Sequence, residues 1–181
     1  MSDLCLITHC SPTLANLKTG NLFSMDCPFA HSQVEQWNKQ LNPKGIFARI
    51  IQRTGGRCVI YVYRREMLDK DLHSTEIQEF LASYGYDDFT PDGAINRLCS
   101  RMRFHDDFPH EIGAFLSYPL NDILGFIENK GQNCKLCGIW KVYDDVEGAQ
   151  RQFTRFKKCR DVYTRMWKSG KSAYQLAVPT R

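Results

Sequence analysis

Residues 45–64, GIFARIIQRTGGRCVIYVYR, decide the fold class. Two runs, 45–53 and 57–64, flank Thr54-Gly55-Gly56, and the second carries Val59, Ile60, Tyr61, Val62 and Tyr63 in succession. β-branched and aromatic side chains suit a pleated, half-buried surface. Paired glycines reach positive φ without a steric penalty, so the segment reads as a β-hairpin.

Working outward, Leu4 to His9 is a short apolar run that fits a strand or a helical turn. Ser11-Pro12 reads as a helix start, serine as cap and proline at the first helical position. Thr13 to Phe23 is expected to follow as helix, Cys27-Pro28 to break it, and residues 32–41 to form a second short helix around Val34 and Trp37. After the hairpin, residues 65–84 read as helix in two pieces, with Leu68, Leu72, Ile77, Phe80 and Leu81 as the buried stripe and Gly85 as the stop. Thr90-Pro91 opens a helix to about Arg103, and shorter helices are expected over 110–116 and after Tyr118-Pro119. Residues 138–143 alternate like a third strand. Residues 146–168 form a long helix with Ala149, Phe153, Phe156, Tyr163 and Trp167 inward, and the chain from about 171 reads as a loose tail. The expected architecture is α+β: a small, mainly antiparallel sheet (hairpin 45–64 plus strand 138–143) covered by several helices. The 181 residues fit a single domain, 1–181.

Composition excludes some classes. Hydrophobic residues make up 43% and charged residues 24%, which excludes disorder as the main state. No apolar run approaches the roughly 20 residues of a membrane helix, so no membrane partner is expected. The first residues lack the basic and apolar regions of an export signal, which points to the cytoplasm. The chain is cysteine-rich, with Cys5, Cys10, Cys27, Cys58, Cys99, Cys134, Cys137 and Cys159. Without an export signal, reduced thiols are expected rather than a disulfide framework. The formal charge of +4 is uneven: residues 145–171 hold eight basic and three acidic groups, +5, leaving −1 elsewhere. The basic helix 146–168 is read first as a solvated face, with nucleic acid as the second reading.

A second stretch concentrates chemistry. Phe108-Pro109-His110-Glu111-Ile112-Gly113 runs on through Phe115-Leu116-Ser117-Tyr118-Pro119-Leu120-Asn121-Asp122. Ionisable groups, glycine and two prolines lie beside apolar residues that should be buried. Together with two further blocks it resembles an uncharacterised bacterial family, a domain of unknown function found mainly in anaerobic bacteria. The other blocks are His9-Cys10-Ser11-Pro12-Thr13-Leu14-Ala15 with Lys18 and Asn21-Leu22-Phe23, and Cys137-Gly138-Ile139-Trp140-Lys141-Val142-Tyr143 followed by Lys157-Lys158-Cys159. The glycine usual before Tyr118 is Ser117 here. The resemblance implies a stand-alone bacterial protein and brings neither a catalytic residue nor a substrate.

Candidate chemistry follows from residue types. Cys10, just before the expected helix start, would gain thiolate character from the helix dipole. Histidine is the residue type suited to a general base at neutral pH, which makes His110 the candidate, and Glu111 could orient it; the three together would serve nucleophilic catalysis. Lys18, Tyr118, Asp122 and Lys141 are the ligand-binding candidates, with Lys18, Lys141 and the Arg64-Arg65 pair offering charge to an anion. Cys134 and Cys137 form one CxxC pair, which suggests metal or redox chemistry only weakly because zinc sites usually need two such pairs. Asp106-Asp107 beside His105 has oxygen ligands suited to a divalent cation, although such a run is usually a solvated loop. The sequence identifies no cofactor and no oligomeric state. Two functions are open: a pocket between the Cys10 segment and the His110-Glu111 helix, used for small-ligand binding or thiol-dependent acyl or group transfer; or non-catalytic binding of a metal or iron cofactor or of nucleic acid.

Overall fold

The hairpin forms at the centre of the computed structural model, which describes residues 2–104 and 108–180. Strands β2 (Ile46–Thr54) and β3 (Arg57–Arg64) pair antiparallel across Gly55 and Gly56, both at positive φ. The other edge of β3 is taken by β1 (Gly20–Asp26), also antiparallel, giving the order β1-β3-β2. β1 replaces the second half of the helix expected over 13–23. Its apolar side chains divide between two faces, Phe23 and Met25 on one and Leu22 on the other. Seven register pairs with β3, from Gly20↔Tyr63 to Asp26↔Arg57, fix it as strand.

Both faces of β3 are buried because helices cover both. Cys58, Ile60 and Val62 join Ile46 and Ala48 under α1 (Ser2–Leu14) and α2 (Cys27–Leu41), against Leu6, Ile7, Leu14, Val34 and Trp37. Tyr61 and Tyr63 face the opposite layer. That layer comprises α3 (Arg65–Leu72), α4 (Thr75–Ala82), α5 (Pro91–Phe104), α6 (Ile112–Phe115) and α7 (Leu120–Glu128). A bulge between Ile50 and Gln52 leaves Ile51 without a partner in the ladder and adds it to this second layer. Each large apolar side chain fully buried in these layers contributes about 1.5–3 kcal/mol.

Four local expectations are corrected. Ser11-Pro12 does not start a helix: Pro12 lies inside α1, and the Ser11 hydroxyl donates to the Ile7 carbonyl. Cys27-Pro28 ends β1 and opens α2, and Cys27 is disulfide-bonded to Cys58 across the β1–β3 edge, so six cysteines are free rather than eight. Residues 138–143 do not join the main sheet. They turn back as a separate two-stranded hairpin, β4 (Leu136–Cys137) and β5 (Lys141–Val142). The reason is Asp122, whose carboxylate accepts the Tyr143 and Asp144 backbone N–H groups and so ties this segment to α7.

The fourth correction concerns the C-terminal segment, which is docked rather than loose. A short α9 (Ala173–Leu176) buries Ala173 and Leu176 in the first layer. Val178 N–H donates to the Leu14 carbonyl, and Lys44 Nζ donates to the carbonyls of Tyr174 and Ala177. Arg64 binds both partners of this contact: Nε donates to Thr13 O at 2.6 Å, and Nη2 to Leu14 O at 2.7 Å and Val178 O at 2.8 Å. A guanidinium at a helix C-terminus satisfies carbonyls that the helix leaves open and meets the negative end of its dipole. Burial lowers the Arg64 pKa to about 10, which leaves it cationic at neutral pH.

The long helix α8 (Val146–Lys168) is capped by Asp145, which accepts from Gly148 N–H at 2.8 Å, and packs along α1. Its Ala149 and Phe156 join Trp140 and Val142 of the small hairpin in a third apolar cluster, which also touches Leu17, Tyr118 and Phe153.

Candidate functional site

Two cavities flank the tip of the small hairpin and share Gly138 and Ile139 as a common wall. The first, about 400 Å³, lies between α1, α8 and the hairpin, and is lined by His9, Pro12, Lys18, Phe153, Lys157 and Arg160 among others. On α8 the positions 153, 156, 157 and 160 follow helical spacing, so two aromatic and two cationic side chains share one face. From α1, Thr8, His9 and Pro12 do the same. Among the described residues no carboxylate lines this cavity.

Lys18 is the distinctive member. It sits in the turn between α1 and β1, only 3% exposed. Its backbone is held on one side: Thr19 N–H donates to Ser117 Oγ at 3.0 Å, and Arg64 N–H donates to Thr19 O at 2.8 Å. Ser117 stands at φ +55°, a backbone conformation that glycine adopts more easily, and its hydroxyl accepts this N–H. The Lys18 ammonium lies 5.1 Å from the centre of the Tyr118 ring. Among the described residues it makes no hydrogen bond and has no carboxylate partner. Desolvation therefore lowers its pKa to about 8, with the Cys10 thiol acting in the opposite direction.

Tyr118 lines the second cavity. Its ring packs on Trp140 at 4.9 Å and its hydroxyl donates to Ile139 O at 3.4 Å. Burial raises its phenol pKa. Gly138 permits the close approach of the hairpin to the Phe153 ring, which a Cβ there would strike.

The second cavity, about 390 Å³, has Phe126, Ile123, Trp140 and Tyr118 as apolar walls, with His110, Asp122 and Lys141 also at its lining. Asp122 is 3% exposed and fully engaged: besides the two backbone donors it accepts Trp140 Nε1–H at 2.7 Å. Its role is to hold the hairpin against α7. Lys141 Nζ donates to the Gly131 carbonyl at 2.6 Å. His110 is exposed and meets the Phe126 ring edge-on at 5.0 Å.

Cys10, His110 and Glu111 are not brought together. Cys10 is fully buried in the C-terminal half of α1, not at a helix start, and lines neither cavity. Desolvation raises its pKa far above the ordinary thiol value, which is the opposite of nucleophile activation. Glu111 is fully buried, paired with Arg101 and accepting from the Tyr86 hydroxyl at 3.3 Å; the nearby carboxylate adds to burial in raising the Tyr86 pKa. Arg64 is spent on carbonyls and Arg65 on Asp92 at 2.5 Å. Cys137 is exposed and Cys134 half-buried. Among the described residues no group of three or more His, Cys, Asp or Glu side chains converges as a metal site. The His105-Asp106-Asp107 run lies outside the described residues.

Sequence reasoning singled out Lys18 and Tyr118 but missed Lys157 and Arg160. The available signal was their spacing from Phe153 and Phe156, which marks them as flanking the apolar face rather than as members of a uniformly solvated one.

The family described as "Protein of unknown function (DUF3793)" matches residues 6–177. No curated protein and no solved structure matches the chain.

Proposed function

Since the chain belongs to the DUF3793 family, whose description assigns no reaction, we propose a function from its pocket: binding of a small organic anion in the cavity between α1, α8 and the 136–142 hairpin. The observation that carries this reading is Lys18. A lysine only 3% exposed that has no hydrogen-bond acceptor among the described residues is unfavourable in the free protein. An anion entering the cavity would supply the missing partner.

The rest of the lining fits that role. Lys157 and Arg160 add positive charge at the exposed rim, where they attract an anion, and His9 stands beside them. The pKa of His9 is lowered, first by burial and then by Arg160, and a bound anion would reverse the second effect. Pro12, Ile139, Phe153 and Phe156 provide apolar walls for a short carbon skeleton. Tyr118 belongs to this site through its contact with Lys18. His110 and Lys141 belong to the neighbouring apolar cavity and would contact only a ligand that passes the Gly138-Ile139 wall.

Calorimetric titration with phosphate, pyruvate and citrate tests the reading. Saturable binding of at least one is expected, with Lys157→Ala/Arg160→Ala weakening it at least tenfold and Lys18→Met removing it. Absence of saturable binding for all three at millimolar concentration would refute it.

A further inference from the structure

We propose that Lys18 is a covalent binding residue, and that the ligand of the cationic cavity is a small carbonyl-bearing anion, a 2-oxo acid or an aldehyde acid, which Lys18 captures as an imine. This rests on the anion-binding reading above. Two kinds of cation line the cavity and they are placed differently. Lys157 and Arg160 are exposed cations that can hold a carboxylate. Lys18 is a buried member of the lining, its Nζ 5.1 Å from the centre of the Tyr118 ring, and among the described residues it has no counter-ion. An amine so placed gives up its proton at modest cost, and a pKa near 8 leaves a substantial neutral fraction at the pH of most cells. Only the neutral amine has the lone pair that attacks a carbonyl. A purely electrostatic site would gain more from a hydrated, permanently charged group at the rim.

The step balances without any oxidant or reductant. The Lys18 Nζ lone pair attacks the carbonyl carbon. A C–N bond forms, the carbonyl π pair moves to oxygen, and a proton passes from nitrogen to that oxygen through water to give the carbinolamine. A second proton, taken from solvent water, lets the hydroxyl leave as water while the nitrogen lone pair closes the C=N bond, so amine, carbonyl and one proton become the iminium and one water. The ligand's carboxylate stays with Lys157 and Arg160, and its alkyl part lies against Phe153, Phe156 and Pro12. The iminium then has, in the same ligand, the counter-charge that the free ammonium lacks.

The test is reductive trapping with pyruvate and with glyoxylate in the presence of cyanoborohydride, followed by peptide mass mapping of the intact chain. The expected result is one reduced adduct per chain, on Lys18, forming at least tenfold faster than on any other lysine. Its rate should rise with pH to about 8 and then level off as the amine becomes fully neutral. Excess phosphate should slow it by competing for the rim, and Lys157→Ala/Arg160→Ala should slow it without moving the site of labelling. Mapping on the unaltered chain keeps the result independent of whether Lys18 variants fold. Adducts spread over surface lysines, with Lys18 no faster than the rest, would overturn the inference. If pyruvate binds saturably yet leaves Lys18 unlabelled, only the covalent step fails. If no anion binds either, the reading of the cavity fails with it.

Discussion

Replacing Lys18 with methionine should make the protein more stable while it loses its ligand. The folded state lowers the lysine pKa from 10.5 to about 8 by desolvation. At pH 7 that displacement corresponds to about 3 kcal/mol of stability forgone, because unfolding returns the ammonium to water. Methionine has similar volume and no charge to desolvate. It loses the contact with the Tyr118 ring, worth about 0.5–2 kcal/mol, so the net gain at pH 7 should be about 1–3 kcal/mol. The pH dependence fixes the cause. Between about 8 and 10.5 the unfolded chain still binds this proton while the folded chain has released it, so stability of the natural protein rises with pH in that window. The methionine variant lacks that contribution, and its advantage should shrink by roughly 1 kcal/mol from pH 7 to pH 9. Urea denaturation of both proteins at the two pH values, in buffers free of phosphate and carboxylate, gives the difference directly; other titrating groups cancel. Saturating ligand should then favour the natural protein by mass action. A variant that is destabilised, or whose advantage is the same at both pH values, would refute the account of Lys18 as an uncompensated buried amine.

Arg64→Leu leaves the Thr13, Leu14 and Val178 carbonyls without their donor and should cost about 3 kcal/mol, with faster proteolysis beyond residue 171 as the specific sign that the C-terminal segment has come away. Unchanged protease sensitivity would show that α9 and Lys44 suffice. Glu111→Gln strips Arg101 of its buried partner and should cost about 3 kcal/mol in thermal or urea unfolding, yet leave anion binding within twofold of normal, since Glu111 lines neither cavity. A selective loss of binding would move Glu111 into the site. Thiol titration of the chain denatured without reductant should find six reactive cysteines and not eight, and reduction of Cys27–Cys58, which closes 31 residues of chain, should cost about 3–4 kcal/mol.

The sequence by itself determined whatever depends on local pattern. The central hairpin, the division of residues 65–84 into α3 and α4, the start of α5 at Thr90-Pro91 and the length of α8 all follow from periodicity and from Gly, Pro and cap residues that act within a few positions. Only the tertiary structure decided features that need a distant partner. Residues 20–26 could have continued a helix, and they became β1 because the free edge of β3 offered seven register pairs. Residues 138–143 carried a strand pattern, but Asp122 took the backbone N–H groups of Tyr143 and the following Asp144 and drew the end of this segment to α7. The C-terminal segment carried no signal of order, since the carbonyl donor that holds it, Arg64, is 114 positions away from Val178. The site divides in the same way. Lys18 and Tyr118 were recognisable as candidates one at a time, and Cys10 and His110 equally so. Which of them meet, and which thiol or amine loses its water, depends on burial by chain that is remote in sequence. Burial makes the Cys10 thiol inert and the Lys18 amine easily deprotonated, because desolvation disfavours the charged form of each.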